Sequence, residues 1–180
     1  MTLAADDETA RELKASHDID ERADTAIDRF LRADHVLKEA LAFTVDSFVQ
    51  SKWPHALCEA AKQGDVNAVR VYIAKGVDVN WKNAHGATPF YIAVRNGHVD
   101  TVRLLANVRR VDYDAVCHHA LDASPFWTAC RLGHYEIVEL MLKECACDRT
   151  RPNRYGISPL DAARAAGHGD VVKLLELHGV

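Results

Sequence analysis

The sequence lacks the features that mark secreted, membrane-spanning and strongly charged proteins. Its first residues include Asp6, Asp7 and Glu8 where a secretory signal needs a basic region and an apolar run, so we expect no signal peptide. No stretch approaches the roughly 20 apolar residues that cross a bilayer, so no membrane contact is expected. The net charge is only -4, which is too small to favour nucleic acid or an anionic membrane as a partner of the whole chain.

Sequence patterns for catalysis and cofactor binding are also missing. The chain has no glycine-rich phosphate loop, no G-x-S-x-G elbow and no spaced carboxylate pair, so we expect neither an enzyme nor a cofactor. Its 5 cysteines are an odd number without a paired framework, which favours a reducing compartment. The cytoplasm is the expected location, with the nucleus as the alternative. Cys58 and Cys130 are interpreted as small buried hydrophobic residues.

What the sequence does contain is a short pattern repeated about four times. Three copies begin at Thr88, Ser124 and Ser158 with Thr-Pro or Ser-Pro, and each reaches Gly-His eight residues after the proline. An earlier copy, from His55, lacks Thr-Pro. The glycines of the four copies are 33, 36 and 34 residues apart, at Gly64, Gly97, Gly133 and Gly167. Such self-similarity at a fixed period is typical of repeat architectures.

Each position of the pattern has a physical reason. The hydroxyl residue can cap a helix, and the proline after it suits the first helical position. The glycine ends that short helix, and the following histidines, His98, His134 and His168, are interpreted as turn residues. A second helix with apolar spacing follows. Each unit is therefore predicted to be a helix, a tight turn, a second helix and a hairpin-like loop.

The period, the Thr-Pro start, the Gly-His turn and the Gly-Val-Asp-Val-Asn exit from Gly76 closely resemble the ankyrin repeat. The resemblance covers residues 54–180, with repeats at about 54–86, 87–121, 122–156 and 157–180. It implies an all-α solenoid of stacked helix-turn-helix repeats whose loops project as a row of fingers. In such a stack each unit contacts only its neighbours.

Several positions depart from the family pattern. The family usually has histidine where this chain has Tyr91, Trp127 and Asp161. The second finger carries three extra residues, with Asp122 in place of the usual glycine, and Cys145 stands where a glycine normally closes a second helix.

The segment before the repeats is predicted to be a disordered acidic tail over residues 1–16 and a helical extension over residues 17–53. Apolar residues recur with the 3.6 period of one long amphipathic helix from Ile19 to Phe48, interrupted at Asp34. We interpret this helix as a cap on the first repeat. The alternative, a dimerising coiled coil, would need a 3.5 period and places Asp34 on its seam. A monomer is therefore expected.

The resemblance implies that partners bind to the finger tips and to the exposed side of each first helix. On this chain the predicted surface is rich in arginine and aromatic residues, which protein interfaces favour, and it contains no acidic residue. It consists of Trp81, Lys82, His85, Arg95, His118, His119, Arg131, Arg149, Arg151, Arg154 and Tyr155. The sequence therefore predicts a non-catalytic adaptor that binds another protein, and an acidic partner segment is the hypothesis.

Three other interpretations compete with this one. The basic second and third fingers could bind nucleic acid, although phosphate binding draws on many cations and the repeat region is nearly neutral. The acidic N-terminal segment could cover the basic surface and compete with the partner. The Cys117-His118-His119 cluster could bind zinc, but adjacent ligands on a short loop fit tetrahedral geometry poorly, so no metal is expected.

Deleting residues 1–53 tests the interpretation as a cap. We expect a lower melting temperature for the remaining repeats in a thermal unfolding scan, because the apolar side of the first repeat loses its cover. Unchanged stability would refute the cap, and tighter partner binding after the deletion would indicate inhibition by the segment.

Overall fold

A computed structural model of the protein describes residues 52–180, which form one compact unit. The predictions of an acidic tail over residues 1–16 and of a long helix over residues 17–53 fall almost entirely outside the described residues. Within the described part of the chain, no helix is both long and apolar enough to cross a membrane.

Four helix pairs follow one another along residues 52–180. The first helices of the pairs are α1 (52–63), α3 (Pro89–Arg95), α5 (Pro125–Leu132) and α7 (Pro159–Ala166). The second helices are α2 (Val66–Ala74), α4 (Val99–Ala106), α6 (Tyr135–Glu144) and α8 (Gly169–Leu177). Between residues 52 and 180 there is no strand, only an isolated bridge between Cys117 and Ala123. The predicted all-α solenoid is confirmed.

Local sequence signals set the ends of the first helices as predicted. The hydroxyls of Thr88, Ser124 and Ser158 each accept a hydrogen bond from the backbone N–H three residues later, at 3.1–3.2 Å. Proline follows each cap in the first turn. These bonds satisfy amide groups that have no partner within the helix, and each cap stabilises its helix by about 1 kcal/mol.

The pairs stack with like helices in contact. α3 packs on α5 and α5 on α7, while α2 packs on α4, α4 on α6 and α6 on α8. One continuous apolar core runs through all four pairs, and its largest buried members include Leu57, Phe90, Leu105, Phe126, Ile137, Met141 and Leu175. Cys58 and Cys130 are buried as well, as predicted. Burial of each large apolar side chain stabilises the folded state by about 1.5–3 kcal/mol. The contacts between repeats therefore hold the fold together.

The histidine of each Gly-His turn bonds to the preceding repeat. Nε2 of His98 lies 2.9 Å from the carbonyl oxygen of Lys62, His134 lies 3.2 Å from that of Arg95, and His168 lies 3.1 Å from that of Arg131. A carbonyl only accepts, so Nε2 carries the proton in each ring. The prediction placed these histidines in turns but did not foresee that they join one repeat to the next.

A second ladder of hydrogen bonds joins the bases of the fingers. The side-chain oxygen of Asn80 accepts from the N–H of Asp112, and Asp114 accepts from the N–H of Asp148, both at 2.9 Å. Asn80 also donates to the carbonyl of Arg110 at 2.6 Å. Each finger is therefore held to the next at its base, and this fixes where the finger tips lie.

The backbone conformation explains how Asp122 and Cys145 can stand where the family usually has glycine. In the second finger a short 3-10 turn, His118–Ala120, leads into two left-handed residues, Leu121 (φ 63°) and Asp122 (φ 54°). Aspartate tolerates this conformation better than most residues do. Cys145 ends α6 in an extended conformation (φ -107°, ψ 134°), so no glycine is required there.

Replacing Gly133 by alanine tests the contact between repeats. The residue has φ +73°, and an added Cβ would lie 2.5 Å from Nδ1 of His168. Gly167→Ala is the matched control, because its φ is +81° but no atom lies within 4 Å of the added Cβ. We expect a loss of about 1 kcal/mol for G167A and at least about 1 kcal/mol more for G133A in urea denaturation. Equal losses would mean that the histidine contact is not tight.

Candidate partner-binding groove

One concave feature of the described residues is a groove of about 880 Å³ between the first helices and the first two fingers. Its lining comes from α1, α3 and α5 and from residues 83–87 and 117–123 of the two fingers. The lining residues are His55, Cys58, Glu59, Lys62, Asn83, His85, Ala87, Tyr91, Ile92, Arg95, Asn96, Cys117, His119, Ala120, Leu121, Ala123, Trp127, Thr128, Arg131 and Leu132.

Four residues of the predicted binding surface line this groove, namely His85, Arg95, His119 and Arg131. The others do not line it: Trp81, Lys82, His118, Arg149, Arg151, Arg154 and Tyr155. The stacking of repeats explains why these four residues lie together, because the ends of α3 and α5 and the tips of two fingers face the same space.

Two departures from the family pattern form part of the groove lining. Tyr91 is buried, and its hydroxyl accepts from Oγ1 of Thr128 at 3.3 Å. Burial raises the pKa of Tyr91, which keeps the phenol neutral. Trp127 is also buried and donates from Nε1 to the carbonyl of Ile157 at 2.9 Å. The groove therefore has a rigid aromatic floor that ties together the second, third and fourth repeats.

Cations stand above this floor without acidic partners. Within residues 52–180 neither Arg95 nor Arg131 forms an ion pair, and both side chains are exposed. The guanidinium carbon of Arg131 lies 5.6 Å from the ring centroid of Trp127, within the range of a cation–π contact. Glu59 is the single acid among the lining residues that the structure describes, and it lies 3.6 Å from Lys62. This described part of the lining is therefore net positive.

Two further ring contacts organise the finger tips. The imidazoles of His85 and His119 meet edge to face, with centroids 4.8 Å apart. The Cys117 thiol donates to the carbonyl of His85 at 3.3 Å, so the first two fingers touch at two points. Partly buried Trp81 packs instead against His55 of α1, with ring centroids 6.2 Å apart.

The second and third fingers are joined by an acid that lies outside the predicted surface. Asp122 accepts from Nδ1 of His118 at 2.8 Å and from the guanidinium of Arg154 at 3.1 and 3.2 Å. These hydrogen bonds, with that of His118 as the larger cause, lower the pKa of Asp122. Arg154 also donates its backbone N–H to the carbonyl of Leu121 at 2.9 Å. Part of the predicted positive surface is therefore already neutralised within the protein.

The remaining predicted residues have different surroundings. Arg149 is half-buried and donates to the carbonyl of Leu142 at 2.8 Å, near the end of α6. Lys82 and Arg151 are exposed, and Tyr155 is 68% exposed at the tip of the third finger. Arg149 is thus a structural contact, whereas the other three project into solvent.

Two thiols of the repeats, Cys58 and Cys147, are unreactive. Burial raises the pKa of Cys58, which lines the groove, to about 12, and that of Cys147 also to about 12. A thiol needs its thiolate form to act as a nucleophile or metal ligand, and these groups stay protonated at neutral pH. Among residues 52–180 no three His, Cys, Asp or Glu side chains are placed to hold a metal ion.

Comparisons with known proteins agree with this geometry. A family model described as ankyrin repeats (3 copies) matches residues 3–117 and 109–180. The chain is 41% identical over 61 residues to cortactin-binding protein 2 of Mus musculus, which is 33% of this chain and 4% of that protein. It is 38% identical over 50 residues to potassium channel AKT2/3 of Arabidopsis thaliana, or 28% of this chain and 6% of the channel. The chain thus spans a small fraction of the length of these relatives.

Substituting the partners of Asp122 tests the link between the second and third fingers. We expect its pKa to rise toward 3.8 in both H118A and R154A, because alanine has no side-chain donor and each change removes a hydrogen bond that favours the carboxylate. Since the folded pKa is depressed, the stabilisation from this link is present above the unfolded pKa. It is lost as the pH falls through the folded pKa.

An NMR titration of the carboxyl groups measures this directly. Asp148 is the internal control, because hydrogen bonds from Thr150 lower its pKa and neither substitution touches them. An unshifted Asp122 in the unmodified protein would contradict the link.

Proposed function

The chain belongs to the ankyrin-repeat family, and from that premise we propose that it is a non-catalytic adaptor that binds a partner protein through the groove. The proposed partner contributes an acidic segment. Arg95, Arg131, His85 and His119 are the proposed contacts within the groove, and exposed Lys82, Arg151 and Tyr155 extend the surface along the finger tips.

The observation that carries this proposal is the pairing of an apolar floor with cations that have no acidic partner. A groove with this lining offers burial to apolar side chains and charge-assisted hydrogen bonds to carboxylates. Arginine and aromatic residues of this kind dominate the binding energy of protein interfaces. Arg95 and Arg131 sit at the ends of α3 and α5, so the backbone that carries them is already ordered before binding.

Binding of nucleic acid through the second and third fingers has weaker support. Of the cations that would carry it, Arg154 is paired with Asp122 and Arg149 is turned to a backbone carbonyl. Binding to the phosphate backbone depends on several free cations that release counterions. A salt-sensitive mobility shift with duplex or single-stranded probes would favour this alternative over a protein partner.

Charge reversal in the groove tests the proposal. The immobilised full chain is used to capture proteins from a cell lysate, and bound proteins are quantified by mass spectrometry. We expect R95E/R131E to reduce the specific captured set about ten-fold, because both carboxylate contacts become repulsive.

The matched control is R70E/R109E, which reverses two exposed arginines that do not line the groove. Its capture should equal that of the unmodified chain, and melting temperatures should show that both variants fold. If R95E/R131E captures the same proteins as the control, the groove is not the binding site.

A further inference from the structure

One position in each finger has a left-handed backbone, and the second finger fills it with a residue other than glycine. The position stands two residues before the cap of the following first helix, at Gly86 (φ 77°), Asp122 (φ 54°) and Gly156 (φ 77°). Leu121, directly before Asp122, is left-handed as well (φ 63°, ψ 33°). This conformation is costly for a residue that has a Cβ atom. Contacts of the second finger must therefore offset the cost.

The side chain of Asp122 supplies such contacts on two sides. Its Oδ1 accepts from Nδ1 of His118 at 2.8 Å, within the second finger. Its Oδ2 accepts two hydrogen bonds from the guanidinium of Arg154 in the third finger, at 3.1 and 3.2 Å. The backbone N–H of Arg154 donates to the carbonyl of Leu121 at 2.9 Å. Arg154 thus holds both left-handed residues, and we call His118, Asp122 and Arg154 the brace.

The brace holds a loop that lines the groove, although its own residues are not among the described lining residues. His118 and Asp122 stand at the two ends of this loop, so the hydrogen bond between them fixes the backbone that lies between. The second finger contributes Cys117, His119, Ala120, Leu121 and Ala123 to the lining.

The second finger also touches the first finger at the groove. The ring of His119 meets that of His85 with centroids 4.8 Å apart, and the Cys117 thiol donates to the carbonyl of His85 at 3.3 Å. A Cβ added at Gly86 would lie 3.1 Å from Cδ2 of His118, so this brace residue packs against the first finger. A shift of the second finger would therefore change the groove where the two fingers meet.

We propose that Asp122 is a positioning residue of the binding site. It holds the second finger in the shape that presents His119 and Leu121 to the partner, and it does not contact the partner itself. The inference rests on the proposed function and adds to it a residue outside the groove lining. Exposed ion pairs contribute little to overall stability. The brace should therefore act on the conformation of one finger and change the melting temperature of the repeats little.

The charge of Asp122 makes the direction of the effect informative. Removing this carboxylate makes the surface more positive and releases Arg154, so electrostatic attraction alone would strengthen the binding of an acidic partner. Loss of positioning would instead weaken binding, because the finger would have to be ordered when the partner binds. The two effects have opposite signs.

Two substitutions of equal charge, D122G and D122N, separate the brace from the charge. Glycine removes both side-chain contacts and adopts the left-handed backbone without strain. Asparagine tolerates this backbone and keeps an oxygen that can accept from Arg154. E136Q is the matched control, because it removes the charge of one exposed acid, in the first turn of α6, that is not among the described lining residues.

Two measurements on the full chain give the answer. NMR follows the contact between the ring protons of His85 and His119 and the exchange rate of the Arg154 N–H. Capture is measured for the lysate proteins whose binding R95E/R131E reduces. In D122G we expect a weaker ring contact, at least about ten-fold faster exchange and about ten-fold less capture. D122N should lie between D122G and the unmodified chain, and E136Q should match the unmodified chain in both measurements.

The outcomes separate this inference from the proposed function. Stronger capture by D122G, equal to that by D122N, would overturn the inference, because the carboxylate then acts only through its charge. Unchanged capture overturns it as well, whatever the ring contact shows. Both results leave the proposed function in place. If D122G melts early, D122N decides by the same signs. Capture that is insensitive to R95E/R131E removes the proposed function, and the inference fails with it.

Discussion

The apolar faces of the helix pairs are buried against neighbouring pairs, and the position of every functional side chain depends on that packing. No single pair of short helices can bury its apolar face alone, since α2 to α8 have only seven to ten residues each and helices of that length gain most of their stability from tertiary contacts. The packing brings each Gly-His turn against the previous repeat, where the histidine bonds to a carbonyl. The finger ladder through Asn80 and Asp114 likewise joins each repeat to the next. Helix ends and finger tips are thereby set at regular intervals beside one groove.

The features that the sequence predicted well are local ones. A cap at Thr88 or Ser124 needs only the three residues that follow it, and a left-handed glycine needs only its own backbone, so both can be read from a short window. The family resemblance extended these local signals to the whole solenoid. The groove and the contacts between fingers were harder to predict, because they depend on residues far apart in sequence. Arg154 meets Asp122 across 32 positions, and His98 meets Lys62 across 36.

The departures from the family pattern and the charges of the groove belong together physically. Tyr91 and Trp127 replace histidines with larger apolar rings, and their polar atoms are satisfied within the protein by Thr128 and Ile157. The floor is therefore apolar as well as fully hydrogen-bonded, which is the condition for burying aromatic groups with polar tips. The arginines at the rim remain exposed, and their carbonyls are already used in the stack. Stacking thus uses the backbone carbonyls of Arg95 and Arg131 and leaves their guanidinium groups available for the proposed contacts.

The groove draws its lining from the first three repeats, while the fourth supports its floor through the carbonyl of Ile157, which holds Trp127, and through Ala162 of α7, which packs in one cluster with Trp127. In a linear array, each unit is stabilised by its immediate neighbours, so the array can open from an end without unfolding as a whole. A ligand that binds across three repeats contributes its binding free energy only when all three are folded. The three repeats therefore unfold more cooperatively when the ligand is bound. Occupancy would then couple the three repeats that line the groove into one block, while the fourth repeat, which lies outside the groove lining, keeps its own opening equilibrium.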